Sequence, residues 1–476
     1  MIRELDKRLV KIVPSVRQLK HQQLEFYGFI HFTVNTFTDK EWGDGTESPE
    51  IFNPARLDAG QWARAAKDAG MRGLILTCKH HDGFCLWPSR YTSHSVALSP
   101  YKDGKGDVVR EVSDACRKEG LAFGVYLSPW DRNHPSYGSG REYDNYFVGQ
   151  LKELLQNYGE IFAVWFDGAC GEGPNGKRQI YDWERYYEVI RRLQPQACIS
   201  VCGPDVRWCG NEAGQTRDSE WSVVPARTAD TEKIAENSQQ KDEAEFRQRS
   251  ISAQDMDLGS REILEGEEDL IWYPAEVNTS IRPGWFYHAC EDERVRPLSE
   301  LIHIYENSAG GNATFLLNIP PDRSGLIHPA DVQRLHELGE YIRNTYRQNL
   351  ADTARITCDS ALPNHGVEGV RCDSYDNCLR TADGITACDL VLEWEQAVTI
   401  NRVVLKEDLR YSQRIEKFVI EAWENDGFRS VCEGTTVGYK RIAVLKEIKT
   451  AILRIRILDA RVAPVIAFLG VYGGIN

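Results

Sequence analysis

GLILTCKHH, residues 73–81, is a continuously apolar run that ends abruptly in polar side chains. Four more runs have the same character: YGFIHFT (27–33), LAFGVYLSP (121–129), IFAVWFDG (161–168) and ACISVCG (197–203). Continuous rather than alternating hydrophobicity is typical of parallel strands that are covered on both faces. The runs recur at intervals of roughly 40 residues, enough for a strand, a loop and a helix, and they therefore predict repeated βα units.

Two architectures suit such repeats, an open doubly wound sheet and a (β/α)8 barrel. No G-x-G-x-x-G sequence follows the first run, which argues against the dinucleotide-binding form of the open sheet. Candidate catalytic residues instead follow several different strands, which is the barrel pattern. We therefore predict an α/β fold with a (β/α)8-like, TIM-type barrel. Helical periodicity predicts helices over 58–69, 143–158 and 329–346.

The remainder of the chain divides into three parts. Residues 224–261 are polar and predict a long surface excursion, partly helical. Apolar runs resume at 269–277 and 313–321 and complete the barrel. From residue 354 onward, short alternating runs separated by turns predict an antiparallel β-sandwich. The predicted domains are a catalytic barrel at 1–350 and a sandwich at 351–476.

Charge and composition narrow the class of partner. Asp and Glu number 71 against 57 Lys and Arg, which gives a net charge of −14 and argues against nucleic acid or an anionic membrane as a partner. No run of about 18 apolar residues exists. The N-terminal sequence MIRELDKRLVKIVPS has no apolar signal core, so we expect a cytoplasmic protein. The 13 cysteines form no C-x-x-C pair, and we expect reduced, mostly buried thiols.

Three polar clusters follow predicted strands. The first, His80-His81-Asp82, suits hydrogen bonding better than metal binding, because neighbouring residues of a strand point to opposite faces. We expect one ring in a pocket and the other bracing it, with a pair of satisfied surface histidines as the alternative. The second is Asp167, which ends a strand and is followed by glycine; a carboxylate there is either functional or paired. The third is Glu212, in the glycine-flanked loop after the fifth strand.

Two carboxylates on barrel loops, together with histidines and tryptophans, are the side chains that a glycosidase active site uses. One carboxylate attacks the anomeric carbon and the other protonates the leaving oxygen, and retaining enzymes hold the two about 5–5.5 Å apart. Aromatic faces stack on the apolar side of sugars. No serine nucleophile elbow and no H-E-x-x-H sequence is present, so acyl transfer and zinc proteolysis lack their usual motifs. We expect no metal and no cofactor.

The sequence resembles the α-L-fucosidases of glycoside hydrolase family 29. The resemblance rests on motifs that run in order from residue 29 to residue 325: FIHFTVNTFTDKEWGDG, TCKHHDGFCLWPS, GVYLSPWDR, VWFDGA, RWCGNEAG, PGWFYH and NATFLLNIPPDRSG. Of these, NTFTDKEWGDG and RWCGNEAG look like the branch that prefers α-1,3 and α-1,4 fucosyl linkages in Lewis-type glycans. The C-terminal part is similar, more loosely, to discoidin-like carbohydrate-binding modules.

The resemblance implies a role for each matching residue. Asp167 matches the nucleophile that forms a covalent fucosyl-enzyme, and Glu212 matches the acid/base, with Glu220 as the backup. The pKa of Glu212 should be raised by the Asp167 anion and by Trp208. Substrate contacts are implied for the hydroxyl-binding histidines, a Glu-Trp pair and further pocket aromatics: His31, His80, His81, Glu41, Trp42, Tyr126, Trp165, Trp208 and Trp285. Of these, Trp285 would pack on the C5 methyl of fucose, and Trp208 would contact the aglycone.

The predicted function is therefore a retaining exo-α-L-fucosidase specific for α-1,3/1,4 linkages, with a fucosylated oligosaccharide as its partner and an undefined oligomeric state. One alternative is a broader α-L-fucosidase that accepts aryl or α-1,2 fucosides. An alternative of another class is a non-catalytic glycan-binding lectin. The C-terminal sandwich either binds glycans or buttresses the barrel, and few exposed aromatics favour the buttress.

Overall fold

The computed structural model describes residues 2–238 and 256–473. Ten strands precede the C-terminal part: β1 (Phe26–Ile30), β2 (Gly73–Lys79), β3 (Ala122–Leu127), β4 (Ala163–Phe166), β5 (Cys198–Val201), β6 (Arg207–Trp208), β7 (Val223–Pro225), β8 (Leu270–Trp272), β9 (Ala275–Ser280) and β10 (Ala313–Asn318). Eight of them form one sheet, in the order β5-β4-β3-β2-β1-β10-β9-β6, while β7 pairs with β8 apart from it.

The helices of the described residues come before, between and after the strands of this sheet in the chain. They are α1 (Glu4–Leu9), α2 (Val16–Leu24), α3 (Val34–Thr38), α4 (Ala59–Asp68), α5 (Val108–Glu119), α6 (Arg141–Asn157), α7 (Trp183–Leu193), α8 (Thr231–Ser238), α9 (Arg261–Leu264), α10 (Leu298–Ser308) and α11 (Pro329–Thr345). Sequence signals fix several ends. Asp58 caps α4 by accepting from the Gln61 amide, and Gly70 follows the helix at a φ of +90° that favours glycine.

The eight-stranded sheet is a parallel barrel that is nearly closed. All seven ladders between its neighbouring strands are parallel. Its two ends meet where Ser200 of β5 forms a parallel bridge with Val206, just before β6. The strands are buried along almost their whole length, which explains their continuous hydrophobicity. Inside the barrel a compact aromatic core includes Tyr27, Phe29, Tyr126 and Trp165.

The C-terminal part is an antiparallel sheet of seven strands that packs against itself. Its strands are β11 (Arg355–Thr357), β12 (Leu379–Arg380), β13 (Cys388–Glu407), β14 (Ile415–Glu424), β15 (Gly427–Gly434), β16 (Arg441–Ala460) and β17 (Val465–Tyr472). β13 and β16 each run for 20 residues, and irregularities in their pairing after Glu393 and Ile400 separate two halves. β14 pairs with the second half of β16 and β17 with the second half of β13, so the long strands contribute to both layers of a sandwich.

The barrel and the sandwich share packed side chains. Val404, Ile442, Phe468 and Tyr472 of the sandwich belong to the same hydrophobic cluster as the barrel helices. Polar contacts add to this packing, because Lys406 and Lys440 both donate to the carboxylate of Glu25, which directly precedes β1. The C-terminal part therefore covers apolar barrel surface, as a buttress does.

The predicted fold class, a TIM-type barrel followed by an antiparallel sandwich, is confirmed. The predicted helices at 58–69, 143–158 and 329–346 correspond to α4, α6 and α11. The predicted excursion at 224–261 contains α8, overlaps β7 at its start and meets the first residue of α9 at its end, while its residues 239–255 lie outside the described part of the chain. Within the described ranges, no helix combines the length and apolar character needed to cross a membrane. The division into domains at residue 350 stays a prediction.

Candidate active site

A pocket of about 720 Å³, counting its open mouth, lies where the barrel strands end. It is lined by Phe29, His31, Glu41, Trp42, His80, His81, Trp165, Asp167, Ala169, Val201, Trp208, Glu212, Ser238, Asn278 and Trp285. Most of these residues sit at or just beyond the carboxyl ends of strands, where the loops of a parallel barrel converge. Both candidate catalytic carboxylates, from loops after β4 and β6, thus face one space.

Asp167 follows the last residue of β4 and is held by three donors. The Tyr126 hydroxyl donates to its Oδ2 at 2.9 Å, the Ala169 amide donates to its Oδ1 at 2.9 Å, and the Gly168 amide adds a further bond. Burial raises the pKa of Asp167, and these donors act in the opposite direction. Gly168 is needed because a Cβ there would lie 2.3 Å from the Ser238 hydroxyl of α8.

His81 is neutral, and its hydrogen bonds fix its tautomer. Burial lowers the pKa of His81 to about 3. The Ser128 hydroxyl donates to the Trp130 carbonyl, so it accepts from Nδ1 of His81 at 2.8 Å. That network assigns the proton to Nδ1 and leaves Nε2 as an acceptor. Nε2 lies 3.7 Å from Oδ2 of Asp167, so two acceptors face each other across the pocket.

His31 is fixed in the same way. Asn318 uses its amide nitrogen to donate to the Ser280 hydroxyl at 2.9 Å and to the Trp285 carbonyl at 2.7 Å. Its amide oxygen therefore accepts from Nδ1 of His31 at 2.8 Å, and Nε2 of His31 is the acceptor. Burial lowers the pKa of His31 to about 4, so this ring is also neutral near pH 7.

His80 and His81 both line the pocket, with ring centroids 4.1 Å apart. The expectation of one ring in the pocket and one bracing it was wrong. β2 ends at Lys79, so the strand alternation no longer applies to the two residues that follow. Asn35 donates to Nδ1 of His80 at 3.4 Å, which leaves Nε2 of His80 as the donor. In the described residues, no group of three or more His, Cys, Asp and Glu side chains is placed to hold a metal ion.

Glu212 lies opposite in the loop after β6. Its Oε2 accepts from the indole nitrogen of Trp285 at 2.9 Å, and its backbone carbonyl accepts from the Thr279 hydroxyl at 2.7 Å. Trp285 therefore orients the Glu212 carboxyl as well as walling the pocket. The backup residue Glu220 lies elsewhere: it is buried against Arg207 and Arg217 and does not line the pocket.

Glu41 lines the pocket but also holds a loop. Its Oε2 accepts from the Trp285 amide at 2.9 Å, and its Oε1 accepts from the Phe286 amide at 3.0 Å and from Nε2 of His288 at 2.7 Å. The neighbouring Trp42 packs edge-on against His81, with centroids 5.4 Å apart. The sequence motifs placed both residues at the site without indicating the loop contact.

Two further predicted aromatics are anchored from below. Trp165 stacks on Tyr126 with centroids 5.4 Å apart, and its indole donates to Glu276 Oε1 at 2.8 Å inside the barrel. Burial raises the pKa of Glu276 to about 7. Trp208 donates from its indole to the Asn278 amide oxygen at 2.9 Å. Tyr126 itself is fully buried beneath the pocket, and its hydroxyl is hydrogen-bonded to Asp167, which lines the pocket.

The structure thus gathers ten of the eleven predicted site residues on one pocket and places Tyr126 directly beneath it. The sequence reasoning missed the other five lining residues, Phe29, Ala169, Val201, Ser238 and Asn278. Phe29 could have been found from its spacing, since it lies on β1 two residues before His31, which directly follows the strand. Nothing in the sequence indicated that Ser238 of α8 folds back over Gly168.

A pocket at the carboxyl ends of a parallel barrel, with two carboxylates facing across it among histidine and tryptophan rings, defines a glycoside hydrolase. The family model for α-L-fucosidase matches residues 15–346. The chain is 40% identical to α-L-fucosidase 1 of Arabidopsis thaliana over 471 residues, covering 97% of this chain and 87% of that one.

Solved structures agree with this match. A glycoside hydrolase family 29 member from an unknown rumen bacterium is 41% identical, with a TM-score of 0.81 over 98% of this chain and 78% of that one. A family 29 fucosidase of Ruminococcus gnavus, in complex with fucose, is 28% identical, with a TM-score of 0.83 over 98% and 95%. The chain belongs to the α-L-fucosidases of glycoside hydrolase family 29 and is a hydrolase of that class.

Proposed function

We propose that this protein is a retaining, exo-acting α-L-fucosidase that releases α-1,3/1,4-linked fucose from Lewis-type glycans. The observation that carries the mechanism is the shared pocket: Asp167 and Glu212 face one space from different loops, each held by its own hydrogen bonds. A pocket closed at its base, rather than an open cleft, suits a terminal sugar. The net charge of −14 suits an uncharged oligosaccharide better than an anionic one.

In the first half of the reaction, a carboxylate oxygen of Asp167 attacks C1 of fucose while Glu212 donates its proton to the glycosidic oxygen. The C1–oxygen bond breaks, the aglycone leaves with the proton, and a fucosyl ester forms on Asp167. In the second half, Glu212 takes a proton from water, whose oxygen attacks C1 and releases Asp167. Two displacements restore the original α configuration.

The neutral histidines suit recognition of sugar hydroxyls. Nε2 of His81 and Oδ2 of Asp167 are acceptors 3.7 Å apart, and a hydroxyl placed between them donates to one of them. Nε2 of His31 offers a second acceptor, and Nε2–H of His80 offers a donor. The rings of Trp42, Trp165 and Trp285 supply apolar wall for the sugar face and its C5 methyl.

Azide rescue on an activated aryl fucoside tests the two roles. Glu212→Ala still forms the fucosyl-enzyme, so azide should restore turnover and give α-fucosyl azide. Asp167→Ala opens the other face of C1, so azide should give β-fucosyl azide. Proton NMR of the azide distinguishes the two. Exchanged configurations would reverse the assignment, and wild-type turnover in either variant without azide would refute it.

The linkage preference rests on the RWCGNEAG and NTFTDKEWGDG motifs. The alternative is a broader α-L-fucosidase that accepts aryl or α-1,2 fucosides. Comparing kcat/KM on Lewis trisaccharides, 2′-fucosyllactose and p-nitrophenyl fucoside separates the two. Rapid aryl turnover without release from Lewis trisaccharides contradicts the branch assignment.

A further inference from the structure

A second carboxylate–histidine cluster joins Asp39 and Glu41, which follow α3, to the loop that carries Trp285 at the wall of the pocket. Glu41 accepts from the backbone amides of Trp285 and Phe286 and from Nε2 of His288. The other ring nitrogen of His288, Nδ1, bonds to Oδ1 of Asp39 at 2.9 Å. His288 thereby ties both carboxylates to the loop at residues 284–288.

The loop is packed too closely against Glu41 to tolerate a side chain at its start. A Cβ on Gly284 would lie 2.5 Å from Oε1 of Glu41 and 2.8 Å from Cδ2 of His288. The Gly284 amide donates to Glu291 at 3.0 Å, and Asn318 donates to the Trp285 carbonyl at 2.7 Å. The backbone of Trp285 is therefore held on both of its polar groups.

His288 carries a positive charge here. Ionised carboxylates only accept hydrogen bonds, so both ring nitrogens of His288 must donate. The bonds to Glu41 and then to Asp39 raise the pKa of His288 to about 9, against the effect of partial burial, and Glu291 adds to the rise. Arg323 lies 3.9 Å from Asp39 on the exposed side. The cation stabilises Glu41 as a carboxylate, which is the form that accepts the loop amides.

At the far end of this chain of contacts is the acid/base. The Trp285 indole donates to Oε2 of Glu212 at 2.9 Å. An indole nitrogen only donates, so Oε2 is the acceptor; because the carbonyl oxygen of a protonated carboxyl accepts more strongly than its hydroxyl oxygen, this bond favours the acidic proton on Oε1. A shift of the Trp285 backbone would release this bond and let the Glu212 carboxyl rotate, and a displacement of about 1 Å can cost a factor of about 100 in rate.

We propose that His288 is a positioning residue for acid catalysis: through Glu41 it fixes the Trp285 loop, so that the indole holds Glu212 with its acidic proton facing the leaving oxygen. The proposal rests on the function assigned to Glu212 above. The proposal requires no contact between His288 and the substrate.

Leaving-group dependence tests this role, because an activated aryl fucoside departs without proton donation whereas a sugar alcohol needs it. We expect His288→Ala to lower kcat/KM on a fucosyl disaccharide by roughly 100-fold and on 2,4-dinitrophenyl fucoside by less than about 3-fold. Trp285→Phe should give the same signature. His288→Gln keeps a donor for Glu41, so it should recover most of the disaccharide activity and also serves if the alanine variant folds poorly.

His336→Ala is the matched control, because His336 forms a similar ion pair, with Asp68 at 2.6 Å, on the exposed side of α11. It should leave both substrates unchanged. Equal losses on the two substrates in His288→Ala or in His288→Gln would indicate a merely structural role and overturn the proposal, as would wild-type activity of His288→Ala on the disaccharide. Glu212→Gln is run in parallel: if it lacks the leaving-group dependence, the assignment of Glu212 itself fails, whatever His288 does.

Discussion

Asp167 illustrates how the environment of a single residue sets its chemistry. Burial disfavours its charge, whereas two backbone amides and the Tyr126 hydroxyl favour it. The balance yields a raised pKa in a residue that the proposed mechanism requires as a carboxylate. The acid limb of activity therefore depends on how many donors Asp167 keeps.

Tyr126→Phe removes one of these donors and should raise the pKa of Asp167 further. Because the reaction needs the carboxylate, the acid limb of kcat/KM should move to higher pH, by about one unit for a hydrogen bond to a charged group. A pH–rate profile measures the shift. Tyr158→Phe is the control, since Tyr158 donates to Asp107 at 3.0 Å away from the pocket. An unchanged or lowered limb in Tyr126→Phe would contradict the argument.

At the scale of elements, the start of β1 is locked to the sandwich by a buried ionic cluster. Glu25, between α2 and β1, accepts from Lys406 of β13 at 2.9 Å and from Lys440, just before β16, at 2.7 Å. Burial opposes the charge of Glu25, but the two lysines hold its pKa well below the ordinary value. Lys406 also reaches Asp373 at 2.8 Å. The first barrel strand is thus fixed to two sandwich strands.

Glu25→Ala would leave two lysines buried at this junction without their shared carboxylate. Removing one partner of a buried ion pair costs roughly 3–5 kcal/mol, so the free energy of unfolding in urea should fall by about that amount. Glu393→Ala removes an exposed pair with Arg355 on the sandwich and should cost less than about 1 kcal/mol. Similar small losses in both variants would show that the cluster does not stabilise the junction.

The whole molecule behaves as a barrel with a covered side. Sandwich residues Val404, Ile442, Phe468 and Tyr472 pack into the barrel cluster, and the pocket opens among the loops at the carboxyl ends of the barrel strands. The buttress interpretation of the sandwich follows from this packing. Fewer observations support the alternative that the sandwich binds glycans, although Trp423, an aromatic residue that could stack on a sugar, is 42% exposed.

Deleting residues 351–476 should therefore give insoluble protein. The deletion exposes the apolar barrel surface and removes the two lysines that pair with Glu25. Solubility of the truncated chain, followed by circular dichroism of any soluble fraction, measures this. A well-folded barrel with unchanged turnover of a small aryl fucoside and weaker action on large glycans would instead favour a glycan-binding sandwich.

Particular residues show how much of the site could be predicted from the sequence. Asp167 and Glu212 could be placed at the site because strand ends are legible from hydrophobic runs and glycines. The hydrogen bond between Trp285 and Glu212 could not be predicted from the sequence. It depends on side-chain rotamers and on a loop held by Glu41, which is 244 residues from Trp285. The expectation for His80 and His81 failed because the alternation of side chains along a strand was applied to two residues that follow the strand. Ion clusters such as Glu25 with Lys440, 415 residues apart, leave no local pattern.

The barrel wall is unevenly braced. β4 and β5 share four paired residues, whereas β5 meets the segment leading to β6 through the bridge from Ser200 to Val206 and through backbone hydrogen bonds such as that from the Val201 amide to the Val206 carbonyl at 2.9 Å. Asp167 follows β4 and Glu212 follows β6, so this seam runs between the two acids. Any shift of β6 relative to β5 would therefore change the separation of Asp167 and Glu212, because the two residues lie on opposite sides of this seam.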